Sequence, residues 1–258
     1  MPTPADFLPL AHRLADAAGE VLRRYYRTPV AVDRKADASP VTIADREAER
    51  VMRAMIRAAH PDHGIDGEEH GTERGDAELV WSLDPIDGTK SFITGRPLFG
   101  TLIGLVQAGR PVLGVIDQCI LGERWVGVTG RPSLWNGSES RCRPCPGLDQ
   151  AILYTTSPDL FETAADRAAF GRVALAARQP MYGGDCYAYG LLALGFADVI
   201  VEMGLQAHDF CALVPVVEGA GGVMSDWEGR PLGPGSDGRV LAAGDRRVHA
   251  EALALLGG

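Results

Sequence analysis

Trp81-Ser82-Leu83-Asp84-Pro85-Ile86-Asp87-Gly88-Thr89 is the stretch from which the rest of the chain is read. Leu79 to Leu83 predicts a buried strand that ends on a carboxylate, Asp84. Pro85 has no N–H to give to a neighbouring strand, so regular ladder pairing stops at the next position. A second carboxylate, Asp87, follows three residues after the first. Gly88 lets the backbone approach a ligand closely, and Thr89 can cap the turn or helix that follows. Two acids and several backbone N–H groups thus meet at a strand end, where α/β folds commonly bind ligands. Acids this close repel, and a shared proton, a basic partner or a metal must offset that. Mg²⁺ takes one or two carboxylates together with water and phosphate oxygens. The plain alternative is an Asp-rich turn with solvated side chains, against which the preceding strand and the following Gly-Thr argue.

Three other acidic stretches matter once this one is in view. Gly64-Ile65-Asp66-Gly67-Glu68-Glu69-His70-Gly71 begins as a short strand and places two glutamates after a glycine. By itself it reads as a solvated turn with a surface histidine. Glu202-Met203-Gly204-Leu205-Gln206-Ala207-His208-Asp209 puts Asp209 at the N-cap position of an apolar helix. A capping carboxylate can still turn one oxygen to a cation. Ser39-Pro40-Val41-Thr42-Ile43-Ala44-Asp45 sets Asp45 in the first turn of a helix, where the dipole favours it.

The 258 residues suit one large α/β domain or two small ones, and 46% hydrophobic with 23% charged residues excludes a disordered, collagen-like or coiled-coil chain. With 25 Lys+Arg against 34 Asp+Glu the formal charge is −9, which argues against nucleic acid as the partner. No apolar run is long enough to span a membrane. The start, Met1-Pro2-Thr3-Pro4-Ala5-Asp6, lacks a basic stretch followed by an apolar one, so no secretory leader is expected. Cys142 and Cys145 have CxxC spacing, but no second pair or nearby histidines follow, and a reduced loop is expected rather than zinc or a redox pair. The expected compartment is the cytoplasm.

Periodicity predicts helices over Pro4–Arg27, Thr42–Ala59, Ala164–Ala177, Asp185–Leu194 and Arg247–Leu256. In the second of these, Ala44, Ala48, Val51, Met55 and Ala59 form the expected inner stripe. Asp209–Ala220 reads as one helix, kinked or shortened by Pro215. Strands are expected at Leu79–Asp84, Phe99–Gln107, Val112–Asp117, Arg124–Val128, Ile152–Thr156, Ala197–Met203, Val223–Trp227 and Val240–Ala243. The Gly/Ser/Pro-rich run Arg131–Gly147 is either a protruding loop or the boundary between two lobes. In the second case residues 1–140 form an α+β lobe with most of the acids, and residues 141–258 an α/β lobe with Asp209.

Taken in order along the chain, Thr42-x-x-Asp45, Gly67-Glu68-Glu69, Asp84-Pro85-Ile86-Asp87-Gly88-Thr89, and Asp209 followed by Gly219-Ala220-Gly221-Gly222 resemble the inositol monophosphatase family of metal-dependent, lithium-sensitive phosphatases. The resemblance covers nearly the whole chain. Four stretches look most like its histidinol-phosphate phosphatase branch: Asp37–Thr42, Lys90–Ile93, Pro97–Ile103 and Gly183–Gly190. Ser91 stands where many relatives have Asn.

This resemblance implies a layered α-β-α-β-α sandwich of the inositol monophosphatase/fructose-1,6-bisphosphatase type. It implies two or three Mg²⁺ ions, with Mn²⁺ as a substitute. Glu68, Asp84 and the Ile86 carbonyl would hold the first ion, Asp84, Asp87 and Asp209 the second, and Glu68 or Glu69 a weaker third. Hydrolysis of a phosphate monoester by an activated water would follow, with Thr89 orienting the water and Asp45 orienting Thr89. Asp87, Gly88, Thr89 and Asp209 would contact the phosphate end of a small phosphorylated metabolite, and Asp185 and Glu202 the alcohol end. Asp185 could instead be a helix N-cap, Glu202 a surface charge at a strand end, and Tyr187 and Tyr189 packing residues. Histidinol phosphate is the expected substrate, with inositol 1-phosphate or sugar phosphates as the alternative. A role in RNA or transcription-linked binding is the reading from a different class. Family members are commonly homodimers.

Overall fold

Thr3 opens the first helical segment by donating its backbone N–H to Asp6 Oδ2 at 2.7 Å. One 3-10 turn, Pro4–Phe7, leads into α1, Leu8–Tyr25. The helix stops short of the expected Arg27: Tyr26 is already extended, with ψ of 127°, and Arg27 follows with a left-handed φ of 57°. The structure, a computed structural model, describes residues 2–29, 31–34 and 40–257. Met1 of the leader reading and Asp37, Ala38 and Ser39 of the branch-like motif lie outside the described residues.

β1 (Val32–Arg34) pairs antiparallel with β2 (Pro40–Thr42), and Thr42 then caps α2 (Ile43–Ala59). Its hydroxyl accepts from the Ala44 N–H at 3.1 Å, and its own N–H donates to Asp45 Oδ2 at 2.7 Å. The inner face of α2 is rotated from the expected stripe. Val51 and Met55 are only half-buried and Ala59 is exposed, while Met52, Ile56, Glu49 and Arg53 are buried beside Ala44, Asp45 and Ala48. An ion pair inside the protein widened that face, and a count of apolar residues could not see it.

Eight strands form the large sheet: β3 (Gly64–Gly67), β4 (Gly71–Glu73), β5 (Leu79–Asp87), β6 (Gly100–Gln107), β7 (Arg110–Gln118), β8 (Glu123–Val128), β9 (Leu134–Trp135) and β10 (Ser138–Glu139). Their order is β10-β9-β8-β7-β6-β5-β3-β4, and α3 (Thr89–Ile93) follows β5. The run Arg131–Gly147 therefore contributes the β9–β10 hairpin to this sheet. It then crosses to the second one, where Arg143 Nε donates to Asp198 Oδ1 at 2.7 Å.

The remaining elements are β11 (Ile152–Thr155), α4 (Ala164–Ala176), β12 (Gln179–Tyr182), α5 (Asp185–Ala193), β13 (Val199–Glu202), α6 (Ala207–Phe210), α7 (Leu213–Gly219), β14 (Val223–Ser225), β15 (Val240–Ala243) and α8 (Arg246–Leu256). The five strands are ordered β12-β11-β13-β15-β14, the first three parallel. One apolar core joins α1 and α2 to the large sheet, a second holds α5 to α7 between the sheets, and a third lies under α4 and α8. This is the α-β-α-β-α layering.

The expected single helix from Asp209 is two, broken at Cys211-Ala212. Pro215 explains the break: its ring excludes the carbonyl four residues earlier, that of Cys211. The broken segment lies directly on the large sheet, over glycines paired across β6, β7 and β8: Gly104 with Gly114, and Gly114 with Gly127. A Cβ on Gly114 would stand 1.9 Å from the Ala212 carbonyl oxygen. This close approach brings Asp209 down to the end of β5. Asp209 is not the N-cap of α6 but its third residue; Gln206 is the cap, and its N–H donates to Asp209 Oδ2 at 2.6 Å.

Candidate active site

The strand β5 carries Asp84 to its end and breaks register between Asp84 and Asp87, as a proline there requires. The Thr101 hydroxyl pins the break by donating to the Pro85 carbonyl at 2.9 Å. The Ile86 N–H donates to Asp84 Oδ1 at 2.9 Å. Gly88 turns the chain with a φ of 89°, and a Cβ there would lie 2.9 Å from Asp185 Oδ2, so the position needs glycine on two counts. Across the layer, the Cys186 N–H donates to Asp87 Oδ2 at 2.5 Å.

Carboxylate oxygens of Asp84, Asp87 and Asp209 lie within 4.8 Å of one another. Glu68, on the turn after β3, adds a fourth negative neighbour. Burial, then the charges of Glu68, Asp87 and Asp209, push the Asp84 carboxyl well above its ordinary range. Burial, then Asp185 and Asp209, do the same to Asp87. Asp209 is raised chiefly by burial, against a partial offset from His208, whose Nε2 lies 3.6 Å away. An all-oxygen set of mutually repelling acids, withdrawn from water, suits a hard divalent cation.

Thr89 stands beside this group. Its hydroxyl is 3.1 Å from the Ile86 carbonyl and 3.4 Å from Asp45 Oδ1. Asp45 is buried, which raises its pKa, while hydrogen bonds from Thr42 pull the other way.

The other end of the cleft holds Asp185 and Glu202. Asp185 is not an N-cap; Gly184 is, and Asp185 opens α5 with a φ of 44°. The Ser91 hydroxyl donates to its Oδ2 at 3.3 Å. Burial lifts Asp185 to about 6, against the Ser91 hydrogen bond and the charges of Arg96 and Lys90. Glu202 is buried, not a surface charge; it accepts from the Thr156 N–H at 2.9 Å and the Tyr189 hydroxyl at 3.0 Å. Burial lifts it to about 7 despite these bonds. Tyr187 packs edge-on against Trp125 and donates to Glu123 at 2.7 Å, away from Glu202.

A cleft of about 210 Å³ joins the two ends, and Glu68, Asp87, Gly88, Thr89, Asp185, Glu202 and Asp209 all line it. Asp45, Asp84 and Ile86 are buried beside it, not on its wall. Glu69 does not line it; its backbone N–H donates to Glu49 Oε2 at 2.7 Å. Lys90, Thr156, Leu160, Tyr189, Leu205 and Leu213 complete the wall. Of these, Lys90 and Thr156 carried a usable signal, one next to Thr89 and the other just past a strand end; the leucines carried none. A larger, open depression of about 690 Å³ near Arg131, Arg141 and Arg143 contains none of these acids.

The model of the inositol monophosphatase family matches residues 4–257. The chain belongs to that family. It is 50% identical over 256 residues to the bifunctional phosphatase IMPL2, chloroplastic, of Arabidopsis thaliana, covering 96% of this chain and 74% of that protein. It is 34% identical over 251 residues to a histidinol-phosphatase of Chlorobaculum parvum, covering 97% and 96% of the two. A solved inositol monophosphatase from Zymomonas mobilis superposes with a TM-score of 0.91 at 52% identity over the whole of both chains. The family is metal-dependent and acts on small phosphorylated substrates, and the acidic cluster could hold a metal ion. No helix among the described residues is long and apolar enough to cross a membrane.

Proposed function

We propose that this chain is a Mg²⁺-dependent histidinol-phosphate phosphatase, releasing histidinol and inorganic phosphate. Glu68, Asp84, Asp87, Asp209 and the Ile86 carbonyl would hold two ions, with Glu68 or Glu69 near a third; Mn²⁺ would substitute. Bound there, the cations supply charge stabilisation at the phosphoryl group and an acidic water at neutral pH. Thr89 would accept a hydrogen bond from the attacking water while donating its own O–H in a hydrogen bond to Asp45, which aims the water lone pair at phosphorus. Backbone N–H groups at Gly88 and Thr89 hold phosphate oxygens as the α3 turn begins. The leaving alcohol then lies toward Asp185 and Glu202.

The observation that carries the substrate is this pair of carboxylates. Asp185 and Glu202 stand at about 6 and about 7, so an ammonium or imidazolium beside them would draw both into the charged form. Leu160 and Leu205 offer an apolar side for a ring. The histidinol-phosphatase among its relatives supports the same reading. The second reading, inositol 1-phosphate or a sugar phosphate, is favoured by the name of the solved relative at 52% identity. Phosphate release from a panel of phosphomonoesters, with Mg²⁺ and with EDTA, separates them. Histidinol phosphate should give the highest kcat/KM, and a much higher value for inositol 1-phosphate would move the substrate to the second reading. Within this reading the enzyme works in the cytoplasm as a homodimer, and light scattering on the purified protein tests the dimer.

A further inference from the structure

Glu68 and Glu69 hang from a three-residue turn between β3 and β4, and β4 is an exposed edge strand. So short a turn at a sheet edge has little of its own to fix it. The Glu68 N–H donates to the Leu83 carbonyl of β5 at 3.1 Å, and the next two N–H groups are held from α2. Glu49 is 0% and Arg53 1% exposed. Glu49 Oε2 accepts from the Glu69 N–H at 2.7 Å and Oε1 from the His70 N–H at 3.1 Å. Arg53 Nε donates to Glu49 Oε1 at 2.6 Å, and its other nitrogens donate to the Gly71 carbonyl and, at 3.1 Å, to Glu73. The pair thus grips the turn by two successive N–H groups and by the carbonyl at its far end. Gly67 fits the same grip: a Cβ there would lie 2.3 Å from Glu49 Oε1.

Spacing makes the arrangement specific. Asp45, Glu49 and Arg53 lie four residues apart on one face of α2. The first reaches Thr89 and the next two hold the glutamate turn, so one helix sets the positions of groups from two separate segments. A buried ion pair is a costly way to add stability, since an apolar pair of similar volume often does as well. Its hydrogen bonds to a ligand-bearing turn give it a different use.

We propose that Glu49, held by Arg53, is a positioning residue that sets the Glu68–Glu69 turn for divalent cation binding. The inference rests on the hydrolase reading above. Partners that orient metal ligands typically change metal affinity about 10- to 100-fold when altered. Glu49→Gln keeps the shape and removes the charge, and Gly67→Ala pushes the carboxylate off the turn while leaving both charges in place. Mg²⁺ binding to the purified full chain is measured by calorimetry, beside thermal unfolding without metal and the Mg²⁺ dependence of kcat. Asp84→Asn serves as the control.

Either variant should weaken Mg²⁺ binding about tenfold or more. High Mg²⁺ should restore kcat, and the substrate KM at that Mg²⁺ concentration should match the parent. If Glu49→Gln does not fold, Gly67→Ala carries the same expectation. Unchanged Mg²⁺ affinity in the folded variant, with only a lower Tm, overturns the proposal. If Asp84→Asn also leaves Mg²⁺ binding unchanged, the reading of the acidic site itself fails.

Discussion

The two ends of the cleft are built from the same kind of side chain and solve opposite problems. Asp84, Asp87 and Asp209 crowd together; burial, then the charge of Glu68, raises Asp84, and burial, then the charge of Asp185, raises Asp87. Glu202 is as deeply buried, yet Thr156 and Tyr189 meet its oxygens with hydrogen-bond donors. Asp185 has Ser91, with Arg96 and Lys90 nearby. Burial of an acid is therefore not what marks a cation site. What sets the first end apart is three carboxylates within 4.8 Å of one another, each with a backbone N–H donor, and on the proposed reading that end would hold the cations while the other would meet the alcohol.

Asp84→Asn should break this contrast most sharply, with opposite effects on activity and stability. Phosphatase kcat/KM should fall by about a thousandfold or more, because charge stabilisation is the main contribution at such a centre. In EDTA the sign reverses. Carboxyls raised in the folded state hold protons that the unfolded chain has released, so the metal-free parent loses stability as pH rises above about 4. Removing one acid reduces that loss. Thermal unfolding in EDTA from pH 5 to 9 should show a falling Tm for the parent and a flatter line for Asp84→Asn. Saturating Mg²⁺ should erase the variant's advantage. Equal slopes in EDTA would mean that the repulsion is relieved within the protein.

Glu202→Gln probes the satisfied end. Its effect on activity should depend on the substrate: roughly a ten- to hundredfold rise in KM for a cationic alcohol, the worth of a hydrogen bond to a charged group, and a smaller rise for inositol 1-phosphate. The folded value of about 7 lies above the ordinary 4.5, so Glu202 also makes stability fall as pH rises through this window. The window is worth on the order of 3 kcal/mol in the metal-free protein. The variant should lack that part of the slope, with or without Mg²⁺, whereas the Asp84 effect disappears with Mg²⁺. A Glu202 contribution that also vanished on adding Mg²⁺ would join the two ends into one electrostatic unit.

Much of the crowded acidic end was legible from the chain because it is local. Asp84, Pro85, Asp87, Gly88 and Thr89 are neighbours, and a proline-broken strand end is a short-range event. The five-layer fold was legible through the family resemblance, and most strands through apolar stretches punctuated by Gly and Pro. What escaped depends on contacts across layers. The inner face of α2 departs from its apolar stripe because Glu49 and Arg53 are buried by their grip on a distant turn. Asp209 reads as an N-cap in the sequence because Gln206, the actual cap, is an uncommon one. The break before Pro215 fell inside a run that the apolar pattern joined into one helix. The leucines of the cleft come from separate short segments, Leu213 from the start of α7, that meet only once both sheets are packed.

Ser91 offers the finest test, and the smallest effect. Its hydroxyl lies 3.3 Å from Asp185 Oδ2, at the long end for such a bond. A bond of this kind contributes about 0.5–1 kcal/mol, or roughly two- to fivefold in an equilibrium. Because it favours the charged carboxylate, Ser91→Ala should move Asp185 further above about 6. The acidic limb of the pH profile for a cationic substrate should shift upward by less than about one unit, and KM near pH 6 should rise two- to fivefold. At pH 8, where Asp185 is ionised in both proteins, the difference should shrink. Asp84 takes its hydrogen bond from the Ile86 backbone N–H, which Ser91→Ala leaves in place, so the same profile measured against Mg²⁺ concentration should not separate Ser91→Ala from the parent. A shift in Mg²⁺ dependence would show that Asp185 belongs with the ion-holding acids rather than with Glu202.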